Sequence, residues 1–226
     1  MRTVLVIGAS RGIGLEFVRQ YLQAGERVIA TARDEAGLVR LRKLGAQALT
    51  LDVSQPASVS SLSWLLDGEV IDTALYVAGV FSQGGADAPP TQDEFDQVMH
   101  TNVLGAMQAI PQVAPLVEVG RNGQGGSFVF ITSDMALIGA VTSSASWTYR
   151  VSKAALNMAV ASAQHDYPRA IMVAMSPGWV RTDMGGDAAP LSAGDSVSAM
   201  RQTIAGINES HKGKFVHHDG RVSNTW

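Results

Sequence analysis

The chain of 226 residues is 46% hydrophobic and 16% charged, which fits one large α/β domain over residues 1–226 and excludes a disordered or fibrous chain. A formal net charge of −3 supplies no basic field for nucleic acid or an anionic membrane. With no cysteine there is no disulfide framework or thiol nucleophile, and the five histidines form no metal-ligand pattern.

An apolar run at residues 3–7 ends at Gly8 and reads as a buried strand. It starts so early that no signal peptide is expected, and no apolar stretch is long enough to span a bilayer, so the expected setting is cytoplasmic. The turn Gly8-Ala9-Ser10-Arg11-Gly12-Ile13-Gly14 opens a helix through Phe17, Val18 and Tyr21 that Gly25 closes, and the next strand covers 27–31. Strand, glycine turn, helix and strand within about 30 residues make a dinucleotide-binding βαβ unit. In such a unit the glycines let the backbone approach a pyrophosphate at the positive end of the helix dipole.

The alternation continues with helices at 34–44 and 57–66, strands at 46–51 and 71–77, and one or two helices across 91–119. A strand follows at 127–132, a helix at 147–165, a strand at 170–175, a helix at 193–207 and a last strand at 214–216. About seven strands alternating with helices predict a Rossmann-type doubly wound parallel sheet covered on both faces. Two Gly/Pro/Ser-rich stretches, 82–90 and 185–194, follow strands at the carboxyl edge, where open α/β sheets place ligands. Arg40, Arg42 and Lys43 read as the solvated side of a helix, and His217-His218 as part of an exposed tail.

Tyr149 and Lys153 fall one helical turn apart on a shared face. An ammonium beside a phenol favours the phenolate and would draw the phenol pKa down, which suits proton exchange with a carbonyl oxygen or an alcohol. The end of the second strand reads Ala30-Thr31-Ala32-Arg33-Asp34, so Ala32 stands where an NAD enzyme carries an acid for the ribose. Arg33 follows it and Arg11 lies in the glycine loop; two guanidinium groups suit a 2′-phosphate, so the cofactor is expected to be NADP(H). Asp34 is near enough to compete for the ribose.

Gly8-x-x-x-Gly12-x-Gly14, Asp52-Val53, Ala78-Gly79, Asn102, Ser133, Tyr149-x-x-x-Lys153 and Pro177-Gly178 together resemble the short-chain dehydrogenase/reductase family over essentially the whole chain. The stretches at 149–157, 177–186 and 213–226 are similar to its C-factor and sniffer branch of carbonyl reductases. The resemblance implies Tyr149 as acid/base, Lys153 on the nicotinamide ribose, Ser133 on the substrate oxygen, and Asn102 holding a water that links Lys153 to solvent. The residues alone leave Ser133 as a loop cap and Asn102 as a helix-kink residue open. The resemblance also implies Asp52 and Val53 at the adenine, and Val180 and Thr182 at the nicotinamide carboxamide.

This sequence departs from the family pattern at Ile7, where threonine is usual, and at Tyr76-Val77, where two asparagines are usual, which puts local order there in question. The loop at 134–146 is also longer than is common in the family. With Phe81, Met135, Leu137, Trp147, Trp179 and Met184 it is expected to shape the substrate pocket, although core packing explains these apolar side chains equally well. The resemblance implies a small-molecule carbonyl or alcohol as partner. It also implies homodimer pairing through the helices bearing Asn102 and Tyr149, a pairing that the longer loop before Tyr149 leaves open. Two further readings stand beside carbonyl reduction: a dinucleotide-binding sensor of the C-factor type, and a reductase of a pterin or quinone.

Overall fold

Strand β1 (Thr3–Ile7) lies at the centre of the computed structural model, which describes residues 1–226. Val4 and Val6 face one apolar core and Leu5 and Ile7 the other, because successive strand side chains point to opposite faces. All four are fully buried, so the strand reads as a continuous apolar run rather than an alternating one.

Around it stand β2 (Arg27–Ala32), β3 (Gln47–Thr50), β4 (Thr73–Tyr76), β5 (Ser127–Ile131), β6 (Ile171–Ser176) and β7 (Lys214–His217). They form one parallel sheet in the order β3-β2-β1-β4-β5-β6-β7. Helices α1 (Gly12–Gln23) and α2 (Glu35–Leu44) cover one face. The other is covered by α3 (Pro56–Ser60), α4 (Leu62–Leu65), α6 (Gly105–Glu118) and α7 (Trp147–Ala163). Helix α8 (Ala193–Gly206) returns to the first face. This is the doubly wound α/β fold expected. No helix is long and apolar enough to cross a membrane.

Two elements differ from expectation. The helix expected at 57–66 is broken at Ser61 into α3 and α4. The Ser60, Ser61 and Ser63 hydroxyls donate back to carbonyls three or four residues earlier, which competes with the helical ladder. Across 91–119 the chain forms α5 (Gln92–Met99), a π-helical segment (His100–Leu104) and α6 without interruption. The π segment carries Asn102.

The strand order reverses between β1 and β4, which leaves a crevice at their carboxyl ends. A cleft of about 620 Å³ opens there.

Candidate active site

The floor of the cleft is set by the turn after β1. A Cβ on Gly14 would come within 2.2 Å of the Gly8 carbonyl oxygen, so only glycine lets α1 start so close to the strand. Gly8, Ser10, Arg11, Gly12, Ile13 and Gly14 all line the cleft, as do Asp52, Val53, Ala78 and Gly79. The Asp52 carboxylate accepts from the Ser54 backbone N–H and hydroxyl through one oxygen, which fixes the carboxyl group at the cleft edge. Despite the departures at Ile7 and Tyr76-Val77 this edge is tied by backbone bonds: the N–H groups of Val77 and Ala78 both donate to the Ile7 carbonyl.

Tyr149 and Lys153 project from α7 into the opposite wall. Lys153 is 3% exposed and its ammonium donates to the Ile131 carbonyl at 2.9 Å, 5.8 Å from the centre of the Tyr149 ring. Burial pushes the Tyr149 phenol up to about 12, while the nearby Ser133 hydroxyl pulls the other way. Burial also lowers Lys153 to about 8. The expected depression of the phenol by the ammonium is therefore not found: desolvation raises the phenol and lowers the ammonium, favouring the neutral form of each.

Ser133 follows β5 and caps a 3₁₀ turn, accepting the Met135 N–H at 3.1 Å. The loop-cap and site readings of this residue are thus both compatible with its geometry. Asn102 is fully buried. Its Oδ1 accepts from the Val80 N–H at 2.8 Å, and its Nδ2 donates to the Val80 carbonyl at 2.9 Å and to Ser152 Oγ at 3.0 Å. Ser152 in turn donates to the Tyr149 carbonyl. Both amide protons are thus used, and the side chain braces the β4 turn against α7. A Cβ on Gly79 would stand 3.3 Å from both Asn102 Oδ1 and Lys153 Nζ, so the absence of a side chain there keeps the brace and the ammonium in place.

The wall beyond β2 holds Arg33 and Arg40 as well as Asp34. The Asp34 carboxylate accepts the Gly37 N–H at 2.7 Å and caps α2, which engages the acid that would compete for a ribose. Arg40 lies on the exposed side of α2, as expected, but its guanidinium also donates to the Ser10 carbonyl and so reaches the cleft. Sequence spacing gave no signal for this, because the contact spans 30 residues. Arg11 leans instead toward Asp183, 3.3 Å away, on the segment after β6. Strand β6 lies on the other side of β1 from β2, so Arg11 points away from Arg33.

The remaining expectations divide. Pro177, Thr182 and Met184 line the cleft. Phe81 meets the Tyr149 ring edge-on, with centroids 5.0 Å apart. Gly178 and Val180 do not line it: Gly178 is packed against Leu191 and His218, and Val180 is buried in a bridge to Leu191. Nor do Met135, Trp147 and Trp179 line it; the Trp179 indole is mostly exposed and donates to the Gly185 carbonyl. His217-His218 is no exposed tail. His217 ends β7 and pairs with Asp134, and His218 packs against Gly178.

A sequence profile of the family described as short chain dehydrogenase matches residues 2–191. The chain is 36% identical to C-signal of Myxococcus xanthus over 152 residues, 66% of this chain and 90% of that one. Its fold is similar to the NADPH-bound carbonyl reductase from chicken fatty liver, with a TM-score of 0.90 and 28% identity over 100% of this chain and 99% of that one. It is similar as well to the carbonyl reductase Sniffer of D. melanogaster, with a TM-score of 0.89 and 26% identity over the whole of both chains. The chain belongs to the short-chain dehydrogenase/reductase family, in the branch that resembles C-factor and sniffer, and is an oxidoreductase of that family.

Proposed function

We propose that this protein reduces a ketone or aldehyde to an alcohol, reversibly, with NADP(H) as cofactor and Tyr149 as general acid/base. The observation that carries the reading is that the Tyr149 phenol and the Lys153 ammonium share one wall of a cleft whose other end is a glycine turn, with the Ser133 hydroxyl beside the phenol. The residues fit the cofactor. The turn between Gly8 and Gly14 leaves room for a pyrophosphate beside the α1 N-terminus. At the adenosine end two guanidinium groups and an acid already used as a cap favour a 2′-phosphate over a bare hydroxyl pair. The NADPH in the structure of the similar carbonyl reductase supports the same choice.

Bound NADPH supplies the hydride. The protein's own residues position the carbonyl and manage its oxygen. The phenol, pushed up to about 12, holds its proton at neutral pH, which is the form an acid needs for reduction. The Ser133 hydroxyl faces the same oxygen and stabilises charge developing there. Two ammonium protons of Lys153 remain after its bond to Ile131 and are available to ribose hydroxyls.

The test is loss of reduced nicotinamide absorbance with a panel of aldehydes, ketones, quinones and pterins, using NADPH and NADH in parallel. Tyr149→Phe is expected to lower turnover by about 10²–10⁴-fold, the range for a general acid, with NADPH affinity retained. Turnover unchanged in that variant would remove Tyr149 from the chemistry. A quinone or pterin as the only substrate would move the reading to that class.

The similarity to C-signal favours a second reading, a dinucleotide sensor acting through a partner. It predicts a biological effect that survives Tyr149→Phe and is lost when Arg33 and Arg40 are replaced.

A further inference from the structure

We infer that His217 is a positioning residue for the Ser133 hydroxyl, acting through Asp134; this rests on the carbonyl-reductase reading. His217 is the last residue of the edge strand β7, whereas Ser133 follows β5, two strands away. Its Nδ1 lies 3.1 Å from Asp134 Oδ1, with the imidazole side chain only 14% exposed. The ring is held edge-on against Phe215, with centroids 5.2 Å apart.

The contact thus crosses the carboxyl end of β6, where Ser176 is the register partner of His217. Next to it the ring of His218 packs against Gly178. The two histidines therefore tie the turn after β5 to the turn after β6.

The consequence for Ser133 is geometric. Its Oγ accepts the Met135 N–H, so the aim of its own proton depends on the conformation of the Asp134–Met135 turn. From the other side Arg150 donates to the Met135 and Ala145 carbonyls. Asp134 is the exposed member of this turn, 54% by side chain, and the His217 imidazole is the side chain that meets it. Arg221 also faces Asp134, but it is paired with Asp219 at 2.8 Å and exposed.

The experiment compares cofactor-loaded wild type with His217→Ala, His217→Asn, Asp134→Ala, the His217→Ala/Asp134→Ala double variant and Arg221→Ala. His217→Ala should lower kcat about ten-fold, as a sub-ångström misplacement of Ser133 requires, with the NADPH Kd within about two-fold of wild type. His217→Asn, whose amide nitrogen takes the place of Nδ1, should restore most of the loss. The double variant should be no worse than either single one, and Arg221→Ala should match wild type. Unchanged kcat in His217→Ala, losses that multiply in the double variant, or an equal loss in Arg221→Ala would each overturn the inference.

Hydrogen exchange of the peptide covering 132–138 is read on the same samples and should be faster in His217→Ala. If wild type reduces no carbonyl in the panel, the reductase reading fails on its own, and faster exchange still upholds the positioning of the turn. Unchanged exchange overturns it.

Discussion

At the scale of single residues, burial is the strongest force on the acid/base pair. Lys153, lowered from 10.5 to about 8 by desolvation, gives a stability effect whose sign can be worked out. Between these values the unfolded chain binds the lysine proton and the folded chain does not, so raising the pH through this window favours the fold. Below about pH 8 both states are protonated and the fold carries the full cost of the buried charge, about 3 kcal/mol. Lys153→Met should therefore be inactive yet more stable than wild type at pH 7, by about 1–3 kcal/mol once the orphaned Ile131 carbonyl is allowed for. Urea unfolding of both proteins at pH 7 and pH 10 checks this. The gap should narrow as the pH rises, and a constant gap would mean that the buried charge is not its origin. Tyr149 and Lys153 were legible in the sequence because four-residue spacing puts them on one helix face whatever the tertiary context. Arg40 and His217 were not, since their partners Ser10 and Asp134 lie 30 and 83 positions away in the chain and only the sheet brings them together.

At the scale of elements, the π segment does what an α-helix could not. One extra residue per turn between α5 and α6 changes the facing of Asn102 and leaves backbone carbonyls in need of partners. The Tyr76 hydroxyl supplies one, donating to the Thr101 carbonyl at 3.0 Å from a fully buried ring. Tyr76 stands where the family usually has asparagine, so the bracing comes from a longer side chain that reaches the helix instead of a short one that stays at the turn. Tyr76→Phe should cost about 1–3 kcal/mol, the penalty for an orphaned buried carbonyl. It should also lower kcat by shifting Asn102 and, through Ser152, the backbone of Tyr149. Denaturant unfolding and steady-state kinetics on the same preparation check both effects, and a stable variant with normal kcat would show that the phenol is idle. Hydrophobic periodicity predicted helix across this region but cannot register a one-residue insertion, because the apolar stripe resumes after it. The break at Ser61 was hidden for a related reason: Val59, Leu62 and Leu66 keep helical spacing through it and share one core.

At the scale of the whole molecule, the two cores and the strand order fix where a ligand can act on stability. The crevice lies between β1 and β4, the point where chain connectivity reverses, so a dinucleotide there contacts segments from both halves of the sheet. Such a ligand binds only the folded chain and stabilises it by about 2.7 kcal/mol at a hundred times its Kd. For a chain of this size that corresponds to a rise in Tm of about 5–11 °C. NADPH should reach that rise, whereas NADH at the same concentration should give a smaller one, because the Arg33 and Arg40 guanidinium groups have no phosphate to pair with. Arg33→Ala and Arg40→Ala should each bring the NADPH shift toward the NADH shift and leave the latter in place. Arg40 has a second role to separate, since it also anchors the glycine turn through the Ser10 carbonyl. If that anchoring were its whole contribution, Arg40→Ala would lower both shifts together; a loss confined to NADPH assigns it to the phosphate. Thermal unfolding of the three proteins with each nucleotide decides between these outcomes, and an NADH shift as large as that of NADPH in wild type would show that this wall does not select the 2′-phosphate.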